Sequence, residues 1–277
     1  MSEDTILKLS TEHYTFEILI RSRSARGIEY LKYFEIGDPK KPCLSLIIYT
    51  KNAIDMFDKE IIKTAKLSNI ESLYECVLEE NAPELFEKYS FSQELLNFII
   101  NYLKINYPYV KNIQLDDESY IPCNRESNET LDLLTYSIAL YGKTWYERVY
   151  NAKLSNEDDY KEYRKQVDKY ISEEFKNSIS WEKFLLIHFN TATHFGHNFM
   201  KENLDQIKEV YENSKIFPEF FTKLRDIVGT EDKCKFFKTW LQQFINSIIK
   251  INRRWIIIIR SEGGKRRTKK QKTSAYS

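Results

Sequence analysis

The hydrophobic pattern changes period along the chain, and each change marks a different kind of element. Residues 15–20, 28–36 and 44–50 are rich in β-branched, aromatic and aliphatic side chains, the composition of strands. Ala25-Arg26-Gly27 and Gly37-Asp38-Pro39, followed by Pro42, separate them as turns, so an antiparallel meander is expected. From 53 to 66 the spacing becomes helical, with Ile54, Phe57, Ile61, Ile62 and Ala65 on one side. Residues 70–78 are a further strand or a continuation of that helix, with the strand preferred.

The stretch from Tyr89 to Leu154 carries the densest signals. Ser92 stands as a helix cap with Glu94 in the first turn and Phe91 placed to staple onto the helix. Leu95, Ile99 and Leu103 recur at helical spacing, and Pro108 ends the run because the residue before a proline is pushed out of the α region. Val110, Ile113 and Leu115 form a short strand that enters the acidic run Asp116, Asp117, Glu118. A second helix spans about 130–141, stopped by Gly142, and the string KTWYERVYNAKL follows. Helix, strand and helix in this order form a crossover unit packed on a sheet.

Beyond Leu154 the chain reads as helix throughout: about 156–176, 181–189, 199–211, 218–227 and 231–251. The last carries Phe237, Trp240, Phe244 and Ile248 as an apolar stripe, expected to be core or subunit interface. Residues 255–259 are either a terminal strand or a continuation of that helix. The expected fold class is α+β, with an N-terminal mixed α/β domain over 1–154, a helical domain over 155–260, and a disordered basic tail over 261–277.

Charge sharpens this division. The chain of 277 residues has a formal net charge of +1. Seven Lys or Arg fall between Arg260 and Ser277 against Glu262 alone, which leaves the rest with 35 basic and 40 acidic residues, a net of −5. Lys265, Arg266, Arg267, Lys269 and Lys270, after the Gly263-Gly264 hinge, are candidates to contact nucleic acid or another polyanion. A targeting signal or a solubilising end is an alternative reading of the same run. Without interleaved aromatics, sequence-specific readout is not expected.

The four cysteines are scattered without paired spacing, so reduced thiols in an intracellular protein are expected. The N-terminus is polar and acidic and the apolar run at 255–259 is too short for a bilayer, so no membrane partner is expected.

Asp117 lies where a strand meets a loop, a position at which a carboxylate can serve as a base. Adjacent strand carboxylates point to opposite faces, so Asp116 and Asp117 are not expected to share an ion. His188, His194 and His197 cluster around Gly196. His194 and His197, three apart, could face one way on a helix, yet no acidic residue has the spacing of a metallohydrolase helix. A packed or pH-sensitive pair is the expectation, with no metal. No nucleophile elbow and no glycine-rich phosphate loop occurs.

Two resemblances extend this reading. The order helix, strand, helix and the string WYERVYNA make residues 44–154 similar to the second half of the GNAT-type N-acetyltransferase fold. That resemblance implies acetyl-CoA as cofactor, Tyr146 as general acid beside Asp117, and Ser90, Ser92 and Gln93 at the cofactor's pyrophosphate. The family's glycine-rich turn would fall within KYSFSQE, which has no glycine, and Tyr150 stands at the glycine of the terminal string. Separately, LDDESYIPC, LYGKTWYERVYNA and the GGKRRTK tail resemble uncharacterised proteins of nucleocytoplasmic large DNA (giant) viruses, in keeping with a composition rich in Ile, Lys, Asn, Tyr and Phe. This implies an accessory or virion protein in host cytoplasm, nucleus or virion. The expected function is a viral accessory protein on an acetyltransferase-like scaffold, and the alternative is a non-enzymatic virion or interaction protein with a basic tail that contacts nucleic acid.

Overall fold

In the computed structural model, residues 4–25, 27–38, 41–54, 57–70, 76–79, 81, 84–85, 90–122 and 130–259 are described. The fold is α+β. Two compact units divide the chain, Met1–Ile113 with Ile258–Ser277, and Gln114–Ile257. The boundary read from the sequence at 154/155 lies inside the second unit.

The first unit is built on an antiparallel meander of β1 (Asp4–Ser10), β2 (Thr15–Ala25), β3 (Ile28–Asp38), β4 (Lys41–Tyr49) and β5 (Thr64–Ile70). Ile20 pairs with Phe34, Phe34 with Leu46, and Leu46 with Leu67, so one face collects the apolar side chains. Phe16, Ile18, Phe34, Ile36, Leu44 and Leu46 are buried there. The helix α2 (Phe91–Asn106) covers this face edge-on: Phe91 meets Tyr14 at 5.1 Å, Phe98 meets Phe16 at 5.3 Å, and Tyr102 meets Phe34 at 5.9 Å.

Three local expectations are corrected here. The helix expected over 53–66 shrinks to one turn, α1 (Lys59–Ile62), because Ala65 and Leu67 alternate with exposed Lys66 and Ser68 as the strand β5. Of the strand expected over 70–78, residues 76–78 are outside any strand and 71–75 lie outside the described residues. Finally, Cys43 and Cys76 are joined by a disulfide, Cα atoms 6.2 Å apart, where four reduced thiols were expected; Cys234 is buried and outside any disulfide, and Cys123 lies outside the described residues. The cysteines are 33 residues apart, and their approach depends on Gly37. A side chain at that glycine, with φ +93°, would collide with the Cys76 sulfur.

Strand β6 (Asn112–Asp116) begins in the first unit, where Lys111 and Asn112 donate to the Lys63 carbonyl at 2.7 and 3.1 Å. It ends in the second. There it runs beside β10 (Arg254–Ile258), which pairs with β9 (Lys153–Leu154) through Trp255–Leu154. A small ribbon of β7 (Tyr120–Pro122) and β8 (Thr130–Asp132) follows β6.

The rest of the second unit is helical: α3 (Leu133–Tyr141), α4 (Trp145–Tyr150), α5 (Glu157–Tyr170), α6 (Glu173–Asn177), α7 (Trp181–Thr191), α8 (His194–Glu202), α9 (Leu204–Glu212), α10 (Phe217–Phe237) and α11 (Trp240–Asn246). Phe184 is the centre of its aromatic core, with Tyr211 and Phe220 each at 5.1 Å and Trp240 at 5.9 Å. The single helices expected over 156–176, 199–211 and 231–251 are each interrupted. Thr239, with φ +70°, separates α10 from α11, and Gly229, with φ +77°, kinks α10.

Candidate functional site

β6 delivers two carboxylates to opposite faces. Asp116 is half exposed and accepts from Arg254 Nε at 3.3 Å, whereas Asp117 is 2% exposed. The Asp117 backbone N–H donates to the Arg253 carbonyl at 2.7 Å, which holds the strand end in place. Its carboxylate accepts from the Ser119 backbone N–H at 3.1 Å, a turn closed by a short polar side chain, and from the Ser119 hydroxyl.

Ser119 is also the partner of the Tyr146 hydroxyl, presented from α4 and 3% exposed. A carboxylate can only accept, so Ser119 donates to Asp117 and accepts from Tyr146. The order is therefore Tyr146 O–H to Ser119 O–H to Asp117. Asp132 completes the cluster. Tyr120 of β7 pairs with it, and it caps α3 by accepting from Leu134 N at 3.2 Å and from Thr135 Oγ1 at 2.8 Å. Arg253 ties both acidic positions together, donating from Nη1 to the Asp117 carbonyl and from Nη2 to the Asp132 carboxylate, each at 2.7 Å.

Burial is the main force on both titrating groups. It raises the Asp117 carboxyl above its ordinary value; the hydrogen bonds from Ser119 oppose that, Asp132 adds to it, and Arg253 lowers it. Burial, followed by the neighbouring Asp117 charge, raises the Tyr146 hydroxyl well beyond its usual range, so it keeps its proton at neutral pH.

The structure thus brings Asp117 and Tyr146 onto one hydroxyl. Ser119, Asp132 and Arg253 were missed in the sequence. Asp132, directly before an apolar helical run, carried a capping signal; Arg253 carried none. Ser90, Ser92 and Gln93 belong to the first unit. Ser90, not Ser92, is the N-cap of α2, and it makes no side-chain capping bond. Glu94 in that first turn accepts from His13, from the backbone N–H at 3.3 Å and the ring Nδ1 at 2.5 Å. Lys265, Arg266, Arg267, Lys269 and Lys270 lie outside the described residues.

A surface concavity of about 590 Å³ in the first unit lies beside Lys104, Ile105 and Lys111, and one of about 240 Å³ in the second beside Lys143, Glu147 and Arg164; neither includes Asp117 or Tyr146. Among the described residues no group of three metal-ligating side chains occurs, and no helix is long and apolar enough to cross a membrane. No family model, no curated protein and no solved structure matches the chain.

Proposed function

We propose that the chain is a non-enzymatic interaction protein, of the accessory or virion kind that its sequence resemblance implies, which contacts a polyanion through its basic C-terminal tail. The observation that carries this reading is the closed state of the Asp117 cluster. Both groups a catalytic reading needs are almost wholly buried, and their hydrogen bonds go to Ser119 and the backbone of the chain itself. A general acid must reach the atom it protonates; Tyr146 instead helps close the strand end that Arg253 anchors. Calorimetric titration with acetyl-CoA tests this, with no saturable heat expected. One-to-one binding would overturn it.

Acyl transfer on an acetyltransferase-like scaffold is the second reading, favoured by the Tyr146–Ser119–Asp117 order and by a tyrosine that keeps its proton. In that case Tyr146→Phe lowers turnover with cofactor affinity unchanged. Equal turnover in both forms would remove Tyr146 from any mechanism.

A further inference from the structure

His188 on α7 and His197 on α8 meet in the aromatic core of the second unit, ring centroids 6.2 Å apart. The i, i+3 partner that the sequence offered His197 is elsewhere engaged: His194 is exposed and faces Asn198 at 3.4 Å. His188 is fully buried, and among the described residues neither of its ring nitrogens has a hydrogen-bond partner; His197 Nε2 is buried and likewise without one. Three unpaired buried nitrogens on two neighbouring rings are a marked exception to the rule that buried polar atoms are paired, and an ion is among the explanations such a group calls for.

We infer that His188 and His197 form a two-coordinate site for a soft monovalent cation, Cu(I). The geometry supplies the first reason. Two imidazoles each about 2 Å from one ion have centroids roughly 6.5 Å apart when the ion is in line and roughly 5 Å apart at a tetrahedral angle. The observed 6.2 Å fits the near-linear case, which Cu(I) accepts and Zn(II) does not favour.

Charge supplies the second reason. The site offers imidazole nitrogens and, among the described residues, no carboxylate joins them; the cost of burying an ion grows with the square of its charge, so a dication is disfavoured. The surroundings supply the third. The Trp240 ring lies 4.8 Å from His188 and the Phe236 ring is stacked on it at 5.5 Å, an apolar surrounding that excludes water from the imidazole. Met200, fully buried, lies three residues beyond His197 on α8, and thioethers favour Cu(I). Binding forms two N–Cu bonds from ring lone pairs. Each ring keeps its proton on the other nitrogen, and no electron is transferred.

The test is a Cu(I) titration of the full chain against bicinchoninate under ascorbate without oxygen, with X-ray absorption on the product. The expected result is one Cu(I) per chain, held by two nitrogens at short distance. His188→Leu and His197→Leu should each weaken binding by about a hundredfold or more, since loss even of groups that merely support metal ligands costs 10–100-fold. His194→Gln and Cys234→Ser should bind as the parent does. Melting of metal-free His188→Leu at neutral pH shows that the variant folds, because an apolar replacement for an orphaned polar group is tolerated. Absence of Cu(I) binding would mean a water joins the rings and would overturn the inference. So would dependence on His194 or Cys234, or Zn(II) held as tightly by the same pair.

Discussion

At the scale of single residues, the second unit is held by buried polar groups whose partners are on the chain. Glu147 shows the arrangement best. Its carboxylate accepts from the Thr144 backbone at 2.9 Å while Thr144 Oγ1 accepts from Glu147 N at 3.2 Å, a reciprocal cap on α4. The Tyr163 hydroxyl donates to the same carboxylate at 2.7 Å, and burial together with this charge keeps that hydroxyl protonated. Removing the carboxylate leaves a backbone N–H and a buried phenol without acceptors. Glu147→Ala should therefore cost about 2–4 kcal/mol in chemical denaturation. A loss under about 0.5 kcal/mol, the size of an ordinary surface change, would show that the network is not structural.

His188 makes an opposite prediction, for stability against pH. Its ring is surrounded by Phe189 of its own helix, His197 of α8, Phe236 of α10 and Trp240 of α11. Burial, then the His197 charge, pushes its pKa down to about 3 from 6.5. The folded state thus resists a proton that the unfolded chain accepts. The stability is complete above pH 6.5 and is lost as pH falls toward 3. At pH 4 the loss assignable to this group is about 3 kcal/mol. His188→Leu should flatten the stability profile between pH 7 and 4, measured by denaturant unfolding at each pH. Parallel profiles for the two proteins would contradict the account.

At the scale of elements, the legible parts were those whose pattern is local. β2, β3, β4, α2 and β6 follow from alternation, composition and the Pro108 stop, and the opposite faces of Asp116 and Asp117 follow from the pleat. β5 was not legible, because Ile61, Ile62 and Ala65 satisfy a helical spacing while the sheet imposes a period of two on Ala65 and Leu67. The break at Gly229 was legible as the gap between the helices expected over 218–227 and 231–251, whereas the one at Thr239 was hidden because the apolar stripe continues in phase through Phe237 and Trp240. Tyr146 and Asp117 were found as separate signals. Their meeting through Ser119 joins separate elements and the Arg253 tie spans more than a hundred residues, and no local pattern encodes such contacts.

Gly142 was legible as a helix stop, and the structure adds why it is hard to replace. It caps α3 in the left-handed region at φ +60°, donating to the Ile138 carbonyl at 2.8 Å. A Cβ there would approach Ile171 Cγ2 to 2.6 Å. Strain and collision add, so Gly142→Ala should cost about 2–3 kcal/mol. An unchanged melting temperature would mean that α3 and the segment after α5 can shift apart at no cost.

At the scale of the whole molecule, the central claim is that charge is segregated for contact with a polyanion. The chain outside 260–277 is net acidic, and six cations follow the Gly263-Gly264 pair. The decisive measurement is fluorescence anisotropy of two labelled duplexes of unrelated sequence, over a salt series, with the full chain and with a chain ending at Glu262. Full engagement of six cations gives a log–log salt slope of roughly −5, and a tail in partial contact about −3 to −5. The account predicts such a slope for the full chain, equal affinity for both duplexes, and no binding by the shortened chain, whose net charge repels DNA. Undiminished binding by the shortened chain would contradict it.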